Sequence, residues 1–294
     1  MRLRLSNLPL NLNLNLNLRM QTQPLFSVLV ANYNNGRYIA ECLDSVLKQE
    51  YPNIEIIIID DASTDSSLQI IEPYLQHSHI KLLSNEENKG VGYTKKRCID
   101  EASGEICGFL DPDDTLTLDA ISKMVRAHAS KSDAALIYSD YYECDEHLQI
   151  TKAYKTEQVI NGQYDFFNDK GIGPFATFKK EFYEKTNGLN PTLKRAIDQD
   201  LYLKLYDTGD CIHLPEPLYY YRFHKKGLST NAQGDLAYYW FWVVRILRAQ
   251  EKGINLEHHF NDTFIRRKRI WYLIPLDEKF RKSFVFKVLR KWLK

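Results

Sequence analysis

From Leu25 onward, short apolar runs alternate with stretches whose apolar residues recur at helical spacing. Phe26 to Ala31 is a compact apolar run and predicts a buried strand. Asn32-Tyr33-Asn34-Asn35-Gly36 then supplies turn chemistry. Across Tyr38 to Glu50, Ile39, Cys42, Leu43, Val46 and Leu47 fall on one helical face, and Pro52-Asn53 ends that helix. Ile54 to Ile59 is rich in β-branched residues and predicts a second buried strand. Helix is expected over 68–75, strand over 80–83, helix over 94–102 and strand over 106–110. Beyond that, the spacing predicts helix over 118–129, strand over 134–138, helix over 198–206 and strand over 218–223. Residues 141–180 read as mixed, and the chain from Leu236 reads as helices. Strand and helix in strict alternation are the mark of an α/β protein with a largely parallel sheet. Ligands of such sheets sit beyond the carboxyl ends of the strands.

The first residues break this pattern. Residues 10–18 read LNLNLNLNL, a two-faced alternation. Asn at every second place is incompatible with a signal peptide. The segment reads as a low-complexity leader over 1–23, with Met20 as the native start, or else as an edge strand.

Composition adds exclusions. The 294 residues carry 39 Lys+Arg against 38 Asp+Glu, a net charge of +1. That balance excludes a uniformly basic nucleic-acid coater, and no run reaches the roughly 18 apolar residues of a membrane helix. Cys42, Cys98, Cys107, Cys144 and Cys211 are odd in number, scattered and free of CxxC pairs. This argues against a disulfide framework or zinc site and for a reducing compartment. The bland net charge hides an asymmetry. Residues 261–294 hold eleven basic and three acidic residues, a local net of +8, with Phe284, Val285, Val288, Leu289, Trp292 and Leu293 at helical spacing. A basic amphipathic end of this kind suits an anionic membrane face. The alternative is a helix packed on the domain with its basic side in water.

Two acidic clusters follow predicted strands. In Asp111-Pro112-Asp113-Asp114, three carboxylates within four residues repel unless a cation compensates them. Oxygen ligands at a strand end suit Mg²⁺ or Mn²⁺. The alternative is that Asp114 caps the following helix. In Asp60-Asp61-Ala62-Ser63-Thr64-Asp65, the spacing of Asp61, Ser63, Asp65 and Glu72 imitates a calcium loop. Ser66 stands where that loop needs Gly, and a strand precedes it instead of a helix. Asp61 is better suited to accept hydrogen bonds from a ribose or base. Asp198 and Asp200 open a helix, where carboxylates are ordinary. His224, in Tyr221-Arg222-Phe223-His224, is weak by itself.

Together these blocks carry a resemblance. Ser27 to Asn34, Leu43 to Gln49, Ile56 to Asp65, Asn88-Lys89-Gly90-Val91, Ala102-Ser103-Gly104-Glu105 and Phe109 to Asp114 resemble the inverting family 2 glycosyltransferases in order and spacing. The resemblance implies a GT-A fold: a Rossmann-like, mostly parallel central sheet flanked by helices. That domain would span 24–230, with a helical, basic C-terminal extension over 231–294. It implies transfer of a sugar from a nucleotide-diphospho-sugar, a UDP-sugar foremost, to a saccharide or lipid-linked acceptor in surface polysaccharide or glycolipid synthesis. Ala31 and Tyr33 would line the nucleotide, with Tyr33 stacking on the base. Asp61 would bind the base or ribose, and Lys95 would contact the donor. Asp111 and Asp113 would form a DxD motif, with Asp114 close by on the donor. Asp111, Asp113 and His224 would hold Mn²⁺ or Mg²⁺, and Asp198 would be the catalytic base. No nucleic acid is expected. The protein would be cytoplasmic, or peripheral on the inner face of the membrane.

Three departures stand out. Ile197-Asp198 replaces a frequent Glu-Asp, Lys95-Lys96 replaces Arg-Asn, and Asp61-Ala62-Ser63 replaces Asp-Gly-Ser. A haloacid-dehalogenase phosphatase would explain Asp111 to Leu116, but its motif follows the first strand and has Gly in place of Asp114. A nucleotidyltransferase would need a Gly-rich basic loop after the first strand, which Asn32 to Gly36 is not. A non-catalytic nucleotide-sugar binding module would not need Asp198.

Overall fold

The apolar runs do become the centre of a sheet. A computed structural model describes residues 23–159, 171–225, 227 and 234–255. Of the leader over 1–23 only Gln23 is described, and the basic segment over 261–294 lies outside the described residues. The chain divides into two compact units, Met1–Arg245 and Ile246–Lys294, and the site described below lies in the first.

Among the described residues, nine strands form one sheet: β1 (Phe26–Asn32), β2 (Ile54–Asp60), β3 (Ile80–Ser84), β4 (Ile106–Phe109), β5 (Thr115–Leu116), β6 (Ala134–Cys144), β7 (Ile150–Tyr154), β8 (Ala176–Lys179) and β9 (Asp210–Arg222). Their order is β3-β2-β1-β4-β8-β6-β9-β5, with β7 added on β6. Strands β3, β2, β1 and β4 are parallel, as are β6 and β9. Strand β8 runs antiparallel between β4 and β6, and β5 and β7 are also antiparallel. The α/β architecture with a parallel core expected from the alternation is therefore present, and the antiparallel β5, β7 and β8 make the sheet mixed, as the resemblance implies.

The helices are α1 (Ile39–Leu47), α2 (Ser67–Ile71), α3 (Val91–Glu101), α4 (Ala120–Ser130), α5 (Lys180–Tyr183), α6 (Ile197–Tyr206) and α7 (Gly234–Glu251). Two apolar layers cover the sheet. One joins Leu29, Ile57 and Ile59 to Cys98 and Ile99 of α3 and to Leu201 and Leu205 of α6. The other joins Val28, Val30, Ile56 and Ile58 to Ile39, Cys42, Leu43 and Val46 of α1 and to Ile121 and Met124 of α4. Alternate residues of β1 and β2 thus serve opposite layers, and each such fully buried Val, Leu or Ile contributes about 1.5–3 kcal/mol.

Boundaries differ from expectation for identifiable reasons. Helix α1 stops at Leu47, where Gln49 N turns to Val46 O at 3.1 Å and the Gln49 side-chain amide takes over Ser45 O at 3.1 Å, while also donating to Thr117 O at 2.7 Å and accepting from Ile121 N at 3.0 Å. Helix α2 passes into a 3₁₀ turn over Glu72–Gln76, where Pro73 lacks the N–H that an α-helix needs. Strands β6 and β9 are much longer than their apolar runs. Their extensions, Asp140 to Cys144 and Asp210 to Pro217, mix Tyr, polar residues and Pro215 and Pro217, and the register shifts on both sides of Asp140 absorb the prolines. The β6–β7 hairpin lay hidden in the mixed region. Asp145 closes it by accepting from His147 N and Gln149 N, both at 2.9 Å.

His128 of α4 gives a measurable consequence. It is 1% exposed and meets Thr177 Oγ1 at 3.0 Å. Burial, with help from the Lys179 charge, pushes its pKa down to about 3. The folded protein therefore holds His128 neutral where the unfolded chain would bind a proton. Its stabilising share is complete above pH ~6.5 and drains away as pH falls towards ~3, at up to about 1.4 kcal/mol per pH unit. Urea midpoints measured from pH 7 to 4 are expected to fall less steeply for His128→Gln than for the wild type.

Candidate active site

The carboxyl ends of β1, β2 and β4 converge, and the loops beyond them are tied by side chains. Asn32 Nδ2 donates to Asp60 Oδ1 at 2.7 Å, locking the ends of β1 and β2 together. Asp60 also accepts from Ser63 N and Ser63 Oγ, at 2.8 and 2.6 Å. Asn34, at φ 55°, accepts from Thr64 N at 2.8 Å. Asp65 accepts from Gly36 N and Ser67 N, both at 2.9 Å. A Cβ at Gly36 would lie 2.6 Å from Ser66 Oγ and 3.0 Å from the backbone Ser67 N, so the two loops approach closely here. Within this frame Tyr33 projects 45% exposed, while Ala31 rests half-buried on the α3 side of the sheet.

Asp61 points elsewhere. It is 3% exposed and accepts from Asn85 Nδ2 at 2.7 Å, Lys89 N at 2.8 Å and Gly90 N at 2.8 Å. It therefore shapes the loop that starts α3, where Gly90 takes a φ of 89°. Asp61 and Asp65 serve different loops, which removes the calcium-loop alternative.

The Asp111–Asp114 turn closes with Asp114 N donating to Asp111 O at 3.0 Å. Its three carboxylates go three ways. Asp111 Oδ1 receives Lys95 Nζ at 2.7 Å, and its side chain is 43% exposed. Asp113 Oδ2 lies 2.8 Å from His224 Nε2. Asp114, 2% exposed, accepts from Tyr219 OH and Arg222 N, both at 2.7 Å. Burial and the Asp113 and Asp111 charges push the Asp114 carboxyl well above the usual range. Asp114 thus faces β9 and does not cap α4, whose N-cap is Asp119. Of the three carboxylates it is the least available to a ligand.

Asp198 enters from the opposite bank. A Cβ at Gly92 would lie 2.5 Å from Leu193 O, so glycine lets the 190–193 segment sit against the start of α3. Asp200 then fixes that segment to α6, accepting from Asn190 N and from Lys204 Nζ, both at 2.8 Å. Ala196, at φ 54°, turns the chain into the helix. Ile197, where the family often has Glu, goes into the core, and Asp198 stays exposed with protein packed closely around its carboxyl. Crowding raises its pKa; the Lys95 charge and a hydrogen bond from Gln199 N oppose that rise, and the Asp111 charge adds to it. For Lys95, desolvation lowers the pKa, but the Asp111 charge and hydrogen bond and the Asp198 charge outweigh it and raise the value. Lys95 is thus the electrostatic link between Asp111 and Asp198.

Arg222 is the residue that sequence reasoning passed over. Its side chain is 1% exposed. It donates from Nε to Asp113 O at 2.6 Å, from Nη1 to Glu146 O at 2.8 Å and from Nη2 to Glu41 Oε2 at 2.7 Å. Its guanidinium lies 4.5 Å from the centre of the Tyr38 ring, and that ring lies 4.9 Å from His224. The available signal was an Arg closing an apolar strand two residues before a His.

Among the described residues, no three His, Cys, Asp or Glu side chains form a ready metal cluster. Asp113 and His224 still fit one. Adjacent ligands of an octahedral ion at about 2.1 Å stand about 3 Å apart, close to the 2.8 Å observed. Such ions commonly take one or two protein ligands and complete their shell from phosphates and water. The structure brings Asp113 and His224 together and pairs Asp111 with Lys95 instead.

A half-parallel sheet with carboxylates and a lysine gathered at its strand ends defines a GT-A glycosyltransferase fold. Solved structures agree. Staphylococcus aureus TarS 1–349 in complex with UDP-GlcNAc matches at a TM-score of 0.61 and 23% identity, over 76% of this chain and 66% of that one. Mannosyltransferase PcManGT of Pyrobaculum calidifontis, in complex with GDP-Man and Mn²⁺, matches at 0.60 and 17% identity, over 83% and 72%. The chain belongs to glycosyl transferase family 2, whose sequence profile matches residues 27–187. Glycosyltransferase GlyG of Streptococcus pneumoniae serotype 4 (strain ATCC BAA-334 / TIGR4) is 29% identical over 79% of this chain and 80% of its own length. The Escherichia coli chondroitin synthase is also 29% identical, over 71% of this chain, but the match spans only 30% of that protein. The protein is therefore an enzyme of the glycosyltransferase class. Family membership disposes of the phosphatase alternative.

Proposed function

We propose that the protein is an inverting glycosyltransferase that moves a sugar from a nucleotide-diphospho-sugar to an acceptor hydroxyl, with Asp198 as base. The observation that carries this reading is the Asp111–Lys95–Asp198 arrangement: one lysine carries the field of a candidate donor-side carboxylate to a candidate base. Tyr33 would stack on the nucleotide base, Ala31 would leave room beside it, and Asp61 would contribute its remaining lone pair or hold the loop that does. Lys95 would exchange Asp111 for the donor diphosphate. Asp198 would accept the acceptor's proton as its oxygen attacks. A single displacement of this kind needs one base on the face opposite the leaving group.

Asp113 and His224 would hold a divalent cation, with Asp111 brought in by the donor. A bound Mn²⁺ or Mg²⁺ would offset charge developing on the leaving diphosphate. The TarS and PcManGT complexes support a nucleotide-sugar donor, and the latter also supports a metal. Donor choice between UDP- and GDP-sugars is left to a binding screen, with UDP-sugars placed first. A surface polysaccharide or glycolipid is the proposed product class, in keeping with the chondroitin synthase similarity. Among the described residues, no helix is long and apolar enough to cross a membrane. The basic segment over 261–294 would dock on an anionic leaflet, which liposome cosedimentation of a chain lacking 276–294 would test.

The direct test is calorimetry of UDP-, GDP- and dTDP-sugars with and without Mn²⁺. Asp113→Ala is expected to weaken Mn²⁺-dependent donor binding by about 10- to 100-fold. Unchanged affinity in that variant would remove Asp113 from the metal site. Absence of turnover with every donor, despite tight binding, would favour a binding module.

A further inference from the structure

A row of aromatic rings starts beside the candidate site and runs out along the β9–β6–β7 ribbon. Phe223 immediately precedes His224 and is 42% exposed. Its ring stands 5.1 Å from that of Tyr221, which meets Tyr141 at 6.1 Å. Tyr141 in turn stacks on Tyr154 of β7 at 4.8 Å and 21° between planes. Tyr141 and Tyr221 are half-buried on the core, so they are rigid, while Tyr154 at the far end is 39% exposed. The cross-strand pairing of Glu143 with Lys152 sets a carboxylate and an ammonium on the same ribbon, and Lys152 Nζ lies 4.9 Å from the centre of the Tyr154 ring. Every residue of β7 is exposed.

We propose that this row is a docking surface for the acceptor saccharide, holding sugar units remote from the reacting hydroxyl. The proposal rests on the transferase reading above. Three features favour a saccharide. The row ends at Phe223, the residue that precedes His224 in the chain, so the two lie on one short stretch after β9. Ring faces carry negative charge density that suits the polarised C–H face of a pyranose. Glu143 and Lys152 supply a hydrogen-bond acceptor and donors for hydroxyls beside the rings. The row is longer than one ring, so it favours an oligosaccharide over a monosaccharide.

The test uses chitohexaose, cellohexaose and a hyaluronan hexasaccharide as probes, each against its monosaccharides, by calorimetry on the full chain. At least one hexasaccharide is expected to bind at least tenfold tighter than its monosaccharides. Tyr154→Ala and Phe223→Leu are each expected to weaken it by about three- to tenfold, as loss of one aromatic contact implies, with donor affinity unchanged. Phe223→Leu keeps the apolar contact and removes only the ring, so a folding defect is guarded against, and circular dichroism checks it. Binding by no hexasaccharide, or binding indifferent to both substitutions, overturns the proposal. So does a wild-type dimer that both substitutions dissociate, which would make the row a protein interface. If the donor screen also shows no nucleotide-sugar binding, the transferase reading fails as well; donor binding without saccharide binding sinks this proposal alone.

Discussion

Asp198→Asn is expected to lower transfer by about 10²–10⁴-fold while leaving donor affinity within a factor of two or three. The side chain keeps its shape and its place at the start of α6, which Asp200 and Lys204 secure independently. What disappears is the ability to take a proton. Crowding already holds the Asp198 carboxyl above the ordinary range, with Lys95 restraining the rise. A base of raised pKa is ionised only above that raised value. Transfer by the wild type should therefore climb as pH rises through it and fall as pH drops below it. Lys95→Gln removes a positive charge that favours the ionised form, so the acidic limb should move to higher pH. Single-turnover transfer measured across pH, with donor affinity measured alongside, separates these effects. Wild-type turnover in Asp198→Asn would remove Asp198 from the chemistry. An unchanged pH profile in Lys95→Gln would mean that the lysine serves donor binding alone.

The parts of the molecule legible in sequence are those where one local rule decides the outcome. Runs such as Ile54 to Ile59 can satisfy both apolar layers only as buried strand, and they did so. The carboxylates were visible because acidic residues after a buried strand have few structural excuses. Their separate duties were not visible. Asp60 and Asp61 are neighbours with equal charge, yet one locks strand ends and the other shapes the loop of α3. That division depends on distant donors: the Asn32 side-chain amide, 28 residues back, for Asp60, and the Lys89 and Gly90 N–H groups, 28 and 29 residues on, for Asp61. Asp114 carries the same lesson, because its partners Tyr219 and Arg222 lie on β9, more than a hundred residues on. Strand β9 itself was half hidden, since its pairing partner β6 tolerates prolines only through register shifts. Local pattern reports burial and turn chemistry. Contacts closed by the sheet order lie beyond it.

Arg222 shows how such a contact sets the site, and Arg222→Met is expected to cost about 3–5 kcal/mol of stability and to weaken metal-dependent donor binding. The ion pair with Glu41 is the smaller part of this, because the Glu41 side chain is 54% exposed and water screens it. The larger part is the loss of a buried donor fork. Without it, the carbonyls of Asp113 and Glu146 lose their N–H partners, each at about 1–3 kcal/mol if no water replaces them. The buried positive charge beside the Asp113 carbonyl also goes. Lys in the same place would keep a charge but offer a single ammonium where three directions must be met, so Arg222→Lys should recover little. Urea unfolding gives the stability term, and calorimetry with Mn²⁺ and the bound donor gives the site term. If stability falls while donor affinity in the remaining folded protein holds, Arg222 is a core residue that happens to lie beneath the site. If both fall together, and Glu41→Gln moves neither by more than a few tenths of a kcal/mol, then the hold on the Asp113 carbonyl is what keeps Asp113 facing His224. In that case the distance between those two side chains is set from β9, and the metal affinity of the enzyme is a property of its sheet order as much as of its acidic turn.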